Sequence, residues 1–80
     1  MPARLMRANK VVGAKQTLKA LTKGQAQVVF VAKDADSAVT KPIVELCNQQ
    51  GVEVVHVESM SELGRACLID VGAAVASIIK

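Results

Sequence analysis

Apolar positions along this 80-residue chain change spacing several times, and a glycine, a proline or a short polar cluster stands at most of the changes. Pro2 suits a first helical position and predicts a short opening helix over Ala3–Ala8, ended near Asn9. Lys10–Val12 reads as a brief strand. Ala14–Lys23 has helical spacing and Gly24 to end it. At about 100° per residue, Lys15, Lys19 and Lys23 share one face with Gln16 beside them, and Ala14, Leu18 and Leu21 are expected to point to the core.

Gln27–Ala32 contains Val28-Val29-Phe30-Val31, a β-favouring run with no polar alternation, as expected of a central strand covered on both faces. Asp34-Ala35-Asp36-Ser37 supplies turn and capping groups. A long helix follows from about Thr40 to Gln50, with Val39, Ile43, Leu46 and Cys47 as its apolar stripe, Pro42 in its first turn and Gly51 stopping it. Val52, Val54 and Val55 predict a third strand, and Ser59-Met60-Ser61-Glu62 fits a capping box that opens a short helix through Ala66. The last apolar stretch, Val71–Ile79, reads as a strand, with a helix as the alternative because of its alanines. Alternating elements of this kind predict a single α/β domain over residues 1–80, a small sheet sandwiched between helices.

Composition narrows the possible functions. With 51% apolar and 21% charged residues the chain is outside the range of disordered sequences. Phe30 is its only aromatic residue, which argues against nucleic-acid modules that stack bases on two or three rings. The longest apolar run falls short of the roughly 18 residues needed to cross a bilayer, and no secretory pattern follows Arg4 and Arg7. A cytoplasmic protein with no membrane association is expected. Cys47 and Cys67 form no CxxC pair and suit a reducing compartment as small buried hydrophobes.

Charge is strongly segregated. Residues 1–33 carry seven basic side chains and no acidic one, a net +7, whereas residues 34–80 carry three basic and seven acidic, a net −4. Lysines at i, i+4 and i+8 repel by a few tenths of a kcal/mol per pair, with no nearby acid to relieve them, and a bound anion would do so. Gly13 stands at the start of the same helix, where unpaired N–H groups and the helix dipole favour anions and a missing side chain permits close approach. A solvated lysine face and a plain turn glycine are the competing readings of the same residues.

The segments Val12-Gly13-Ala14-Lys15-Gln16-Thr17-Leu18-Lys19-Ala20-Leu21, Ala32-Lys33-Asp34-Ala35-Asp36, Glu62-Leu63-Gly64-Arg65-Ala66 and Ile69-Asp70-Val71-Gly72-Ala73-Ala74 together resemble the ribosomal protein L-seven-Ae superfamily, over nearly the whole length from Val11 to Ile79. The nearest variety is the short bacterial type, and the Gly-x-Lys-Gln-Thr form is shared with the thirty-e ribosomal protein. The resemblance implies a three-layer α/β/α sandwich with a small mixed four-stranded sheet, and binding to kink-turn RNA, a duplex bent sharply beside sheared G·A pairs. It implies that Gly13 permits close approach while Lys15, Gln16 and Lys19 reach the G·A guanines and nearby phosphates. It further implies that the Ile69-Asp70-Val71 loop covers an extruded base and that Lys33 and Arg65 touch phosphates at the rim. Archaeal members typically have Asn-Glu where Lys15-Gln16 stand, and Leu68 occupies a place usually held by glycine.

Catalytic and metal chemistry find little support in the residue pattern. His56 has no clustered Cys, Asp or His partner and reads as structural; Cys67 has no base placed to activate it. Asp34 and Asp36 read as helix caps, and Met60 and Leu63 as core or loop-edge packing, with Met60 also a candidate RNA contact. A non-enzymatic, monomeric RNA-binding protein without cofactor or metal is therefore expected, with kink-turn RNA, ribosomal RNA included, as partner. The alternative is a protein-interaction module with an incidental basic surface, in which Ile69 and Val71 form an exposed apolar contact.

Overall fold

A computed structural model describes residues 9–79; the expected opening helix over Ala3–Ala8 lies outside them. Strand β1 (Lys10–Val12) leads into helix α1 (Ala14–Thr22), then β2 (Ala26–Ala32), α2 (Ser37–Gln50), β3 (Glu53–Val57), α3 (Met60–Ala66) and β4 (Val75–Ile79). The sheet order is β1-β4-β2-β3, with β4 antiparallel to both neighbours and β2 parallel to β3. The sheet is mixed and four-stranded, as the resemblance implies.

Strand geometry sends alternate residues to opposite faces, so each transverse row belongs to one layer. Val12, Ala76, Phe30 and Val55 lie side by side across the four strands and face α3, where they pack with Leu63, Ala66 and Cys67. The adjoining row of Val11, Ser77, Val29 and Val54 faces α1 and α2, against Leu21, Ile43 and Cys47. Helices on both faces give the three-layer α/β/α sandwich. They also explain why β2 has no polar alternation: both of its faces are core, from Val28 through Ala32.

The register slips once. Ala26 pairs with Ile79 and Val28 with Ile78, so Gln27 is an extra residue that turns Ala26 toward the α1/α2 layer shared by Val29 and Val31. Beside this bulge the buried Ser77 hydroxyl donates to the Val28 carbonyl at 2.9 Å. The apolar run before β4 is shorter as a strand than expected, because residues 71–74 belong to the loop that precedes it.

Two expectations about the helices are corrected. Helix α2 begins at Ser37, not Thr40, because Asp36 caps it by accepting a hydrogen bond from the Ala38 N–H at 2.9 Å. Pro42 consequently lies inside the helix rather than in its first turn, where it removes the N–H that would meet the Ala38 carbonyl; both residues are exposed, so water can serve that carbonyl. In α1 the buried residues are Thr17, Ala20 and Leu21, while Leu18 is 45% exposed. The helix is rotated so that Thr17 and Leu21, one turn apart, face the sheet and α2, which leaves Leu18 on the shoulder next to Lys15 and Thr22.

Candidate functional site

The ends of β1, β2 and β3 and the start of β4 lie at one edge of the sheet, a consequence of the strand directions. Backbone hydrogen bonds lace together the segments that emerge there. The Gly13 N–H donates to the Val75 carbonyl at 2.8 Å, and the Ala32 N–H to the Ala74 carbonyl at 2.9 Å. Lys33 N–H donates to the Val57 carbonyl at 2.8 Å, and Ala73 N–H to the Met60 carbonyl at 3.0 Å. Asp34 adds a side-chain tie, its carboxylate accepting from the Met60 N–H at 2.8 Å. The start of α1, Lys33 and the loop 67–74 are therefore held on one rigid edge although they are far apart in sequence.

Gly13 opens α1 at φ 101°, a conformation that L side chains rarely adopt, and a Cβ there would point into open space. The other two helices begin differently. Asp36 caps α2, and Ser59 caps α3 by accepting from the Glu62 N–H at 3.1 Å, with Glu62 itself acidic in the first turn. Helix α1 has neither a side-chain cap nor an acidic residue in its first turn. Its positive end is unneutralised and carries Lys15 in the first turn, and Lys19 and Lys23 continue the basic face to the far end of the helix; all three are exposed together with Gln16. A shallow depression of about 300 Å³ runs along this face, with Leu18 and Thr22 between the three lysines.

Lys33, expected as a rim contact, is 3.0 Å from a Glu58 carboxylate oxygen, an exposed ion pair. Arg65 is exposed on the last turn of α3. In the loop after it, Asp70 is exposed, Val71 is 71% exposed, and Ile69 is half-buried against the α3-side core. Leu68, at 67% exposure, presents more apolar surface than Ile69. The loop is seated on α3 at Gly64, where any Cβ would collide with the Val71 carbonyl, and at Gly72, where a Cβ would lie 3.1 Å from that of Met60.

The histidine and cysteines form no reactive cluster among the described residues. His56 is exposed on β3, and no group of three His, Cys, Asp or Glu able to hold a metal exists among the described residues. Burial pushes both the Cys47 and Cys67 thiols up, partly offset at Cys67 by the positive charge of Lys10. The two lie in the opposite core layers, separated by the sheet. No helix among the described residues is long and apolar enough to cross a membrane.

Fold and site together define a small α/β domain that combines a basic, uncapped helix start with an apolar loop on one sheet edge. The chain belongs to the Ribosomal protein L7Ae/L30e/S12e/Gadd45 family, whose model matches residues 2–80. It is 52% identical over 68 residues to an RNA-binding protein of Caldanaerobacter subterraneus subsp. tengcongensis, covering 85% of this chain and 83% of that one. RNA-binding protein YbxF of Geobacillus stearothermophilus is 42% identical over 78 residues, 96% of this chain and 95% of that one. Among solved structures, the Giardia lamblia 15.5kD RNA binding protein superposes with a TM-score of 0.87 at 34% identity, over 98% of this chain and 70% of the other.

Proposed function

We propose that this chain is a non-enzymatic RNA-binding protein that recognises and stabilises kink-turn RNA, acting as a monomer in the cytoplasm on ribosomal or other structured RNA. The observation that carries the reading is the fastening of α1's uncapped, lysine-bearing start to the first residue of β4, directly after the loop 67–74, through the Gly13–Val75 hydrogen bond. A regular A-form duplex hides its base edges in a deep, narrow groove, whereas a kink opens that groove and splays a nucleotide outward. Two kinds of surface are then needed at a fixed spacing, one for phosphates and guanine edges and one for an unstacked base.

Gly13 lets backbone approach closely, Lys15 and Lys19 can donate to guanine O6 and N7 or to phosphate, and Gln16 can both donate and accept at a base edge. Lys23 lies further along the helix and supplies sequence-independent phosphate attraction. Lys33 and Arg65 flank the site, and Asp70 and Val71 belong to the loop that meets the extruded nucleotide, with Ile69 supporting it from the core side. Family membership and the RNA-binding names of its relatives support the same partner.

A gel-shift titration with a kink-turn duplex, and with the same duplex carrying Watson–Crick pairs in place of the G·A pairs, tests the proposal. Tighter binding to the first is expected. Equal binding would reduce the interaction to electrostatic attraction, and no binding to either would return the protein-interaction reading.

A further inference from the structure

All three described helices end with a backbone N–H bonded to the carbonyl five residues earlier. In α1, Gln25 N–H reaches the Ala20 carbonyl at 2.9 Å and Gly24 N–H the Leu21 carbonyl at 3.1 Å. In α2, Val52 N–H reaches the Cys47 carbonyl at 2.9 Å. In α3, Ile69 N–H reaches the Gly64 carbonyl and Leu68 N–H the Arg65 carbonyl, both at 3.1 Å. The pattern requires a left-handed residue just past the helix, and glycine fills it twice, Gly24 at φ 69° and Gly51 at φ 70°. The third time it is filled by Leu68 at φ 63°, the sole non-glycine with positive φ among the described residues.

A leucine is strained in this conformation. Burial does not offset the strain, because its side chain is 67% exposed. Helix termination does not require it, since two glycines end the other helices. Leu68 thus costs the fold stability and presents apolar surface to solvent, as Val71 does, within a loop anchored to α3 and adjoining the start of α1. Strain of this kind, held in place by surrounding structure, is characteristic of ligand-contacting positions.

We propose that Leu68 is a base-contacting residue: together with Val71 it covers the apolar face of the nucleobase extruded from the bound RNA. The inference rests on the RNA-binding reading above and extends it to a residue outside the Ile69–Val71 segment. A nucleobase is the occupant that fits, because it offers a flat apolar face while its attached phosphates are drawn to the lysine-bearing helix joined to this loop and to Arg65, one turn earlier.

The test compares wild type, Leu68→Gly and Leu68→Ala in the full 80-residue chain, using a kink-turn duplex and the same duplex with the extruded nucleotide made abasic. Leu68→Gly should raise the thermal midpoint by about two to four degrees. It should nevertheless weaken binding to the intact kink-turn about fivefold, as expected from losing part of a leucine's apolar burial. Leu68→Ala should weaken binding similarly. On the abasic RNA the variants and wild type should agree within about twofold, because the surface that Leu68 covers is gone. Undiminished binding to the intact RNA by Leu68→Gly, or an equal loss on both RNAs, overturns the proposal. If wild type itself fails to separate the G·A duplex from its Watson–Crick counterpart, the RNA reading falls first; if it separates them and Leu68→Gly changes nothing, only the role of Leu68 falls.

Discussion

Replacing Gly64 by alanine is the most informative single perturbation of the site. In an exposed helix interior, glycine to alanine stabilises by about 0.5–1 kcal/mol through backbone entropy. At position 64 the new methyl would collide with the Val71 carbonyl oxygen and would stand 3.0 Å from the Val71 carbonyl carbon and 3.1 Å from the Gly72 Cα. All three atoms are backbone, so no side-chain rotation relieves the contact. The loop must lift, straining the Ile69–Gly64 and Ala73–Met60 hydrogen bonds that hold it.

Overpacking of this kind costs about 1–3 kcal/mol, which exceeds the helix-propensity gain and leaves a net loss of roughly 1–2 kcal/mol. For a domain of this size that loss lowers the thermal midpoint by about 5–15 °C. Circular dichroism melting measures it, with Ser61→Ala, at an exposed position of the same helix, as the control expected to be neutral or mildly stabilising. Gel shifts on the folded variant should show the kink-turn preference reduced about tenfold while attraction to plain duplex persists, because the lysines of α1 are untouched. A midpoint that rises, or an unchanged kink-turn preference, would refute the seating of the loop on α3 as the feature that shapes the site.

Gln16→Ala should cost about 1–3 kcal/mol of kink-turn affinity and narrow the gap between G·A and Watson–Crick duplexes, whereas Lys23→Ala should weaken both alike; selective loss from Lys23→Ala would mean the roles are reversed. Glu58→Gln should release Lys33 from its exposed ion pair, changing stability by less than about 0.5 kcal/mol and tightening RNA binding about twofold; weaker binding would contradict a phosphate role for Lys33. Because burial raises both cysteine pKa values in the folded state, the unfolded chain loses these protons first as pH rises, so stability should fall above about pH 8.5. Denaturant melts between pH 7 and 10 measure this, and Cys47→Ala should flatten the decline; a stability that rises over that interval would contradict the sign.

Much of the architecture is legible in the chain because several local signals agree: glycines at the ends of α1 and α2, the Ser59 cap, and the unbroken apolar run of β2 that both faces of the sheet demand. The start of α2 is hidden because Pro42 is a strong helix-start signal and overrides the weaker one of Asp36, although an exposed helical proline needs only solvent for the carbonyl it orphans. Leu18 misleads for a related reason: hydrophobicity places it inward, but the helix is rotated to bury Thr17, Ala20 and Leu21, which leaves Leu18 on the shoulder. The apolar composition of residues 71–74 resembles strand, yet those residues are the loop that must stand over Gly64.

For the site, the basic face of α1 and the Ile69–Val71 segment are readable as motifs. Their juxtaposition is not, since it depends on β4 running antiparallel between β1 and β2 and bringing Val75 to Gly13. The pairing of Lys33 with Glu58 depends likewise on the parallel register of β2 and β3, which sets their ends side by side. The left-handed backbone of Leu68 has no signal in the residue type itself, because leucine rarely adopts it.

In the proposed function, one rigid edge that combines the start of α1 with the loop 67–74 recognises RNA bent at sheared G·A pairs. Energy transfer between fluorophores on the two arms of a kink-turn duplex, measured without divalent cations while protein is added, tests this directly. Transfer should rise as the arms close, and the titration midpoint should shift with salt at a log–log slope near −3 to −4 if about four basic side chains meet phosphates. The Watson–Crick control should stay extended. Arms that remain open while the protein binds, or that close equally in both RNAs, would contradict the account.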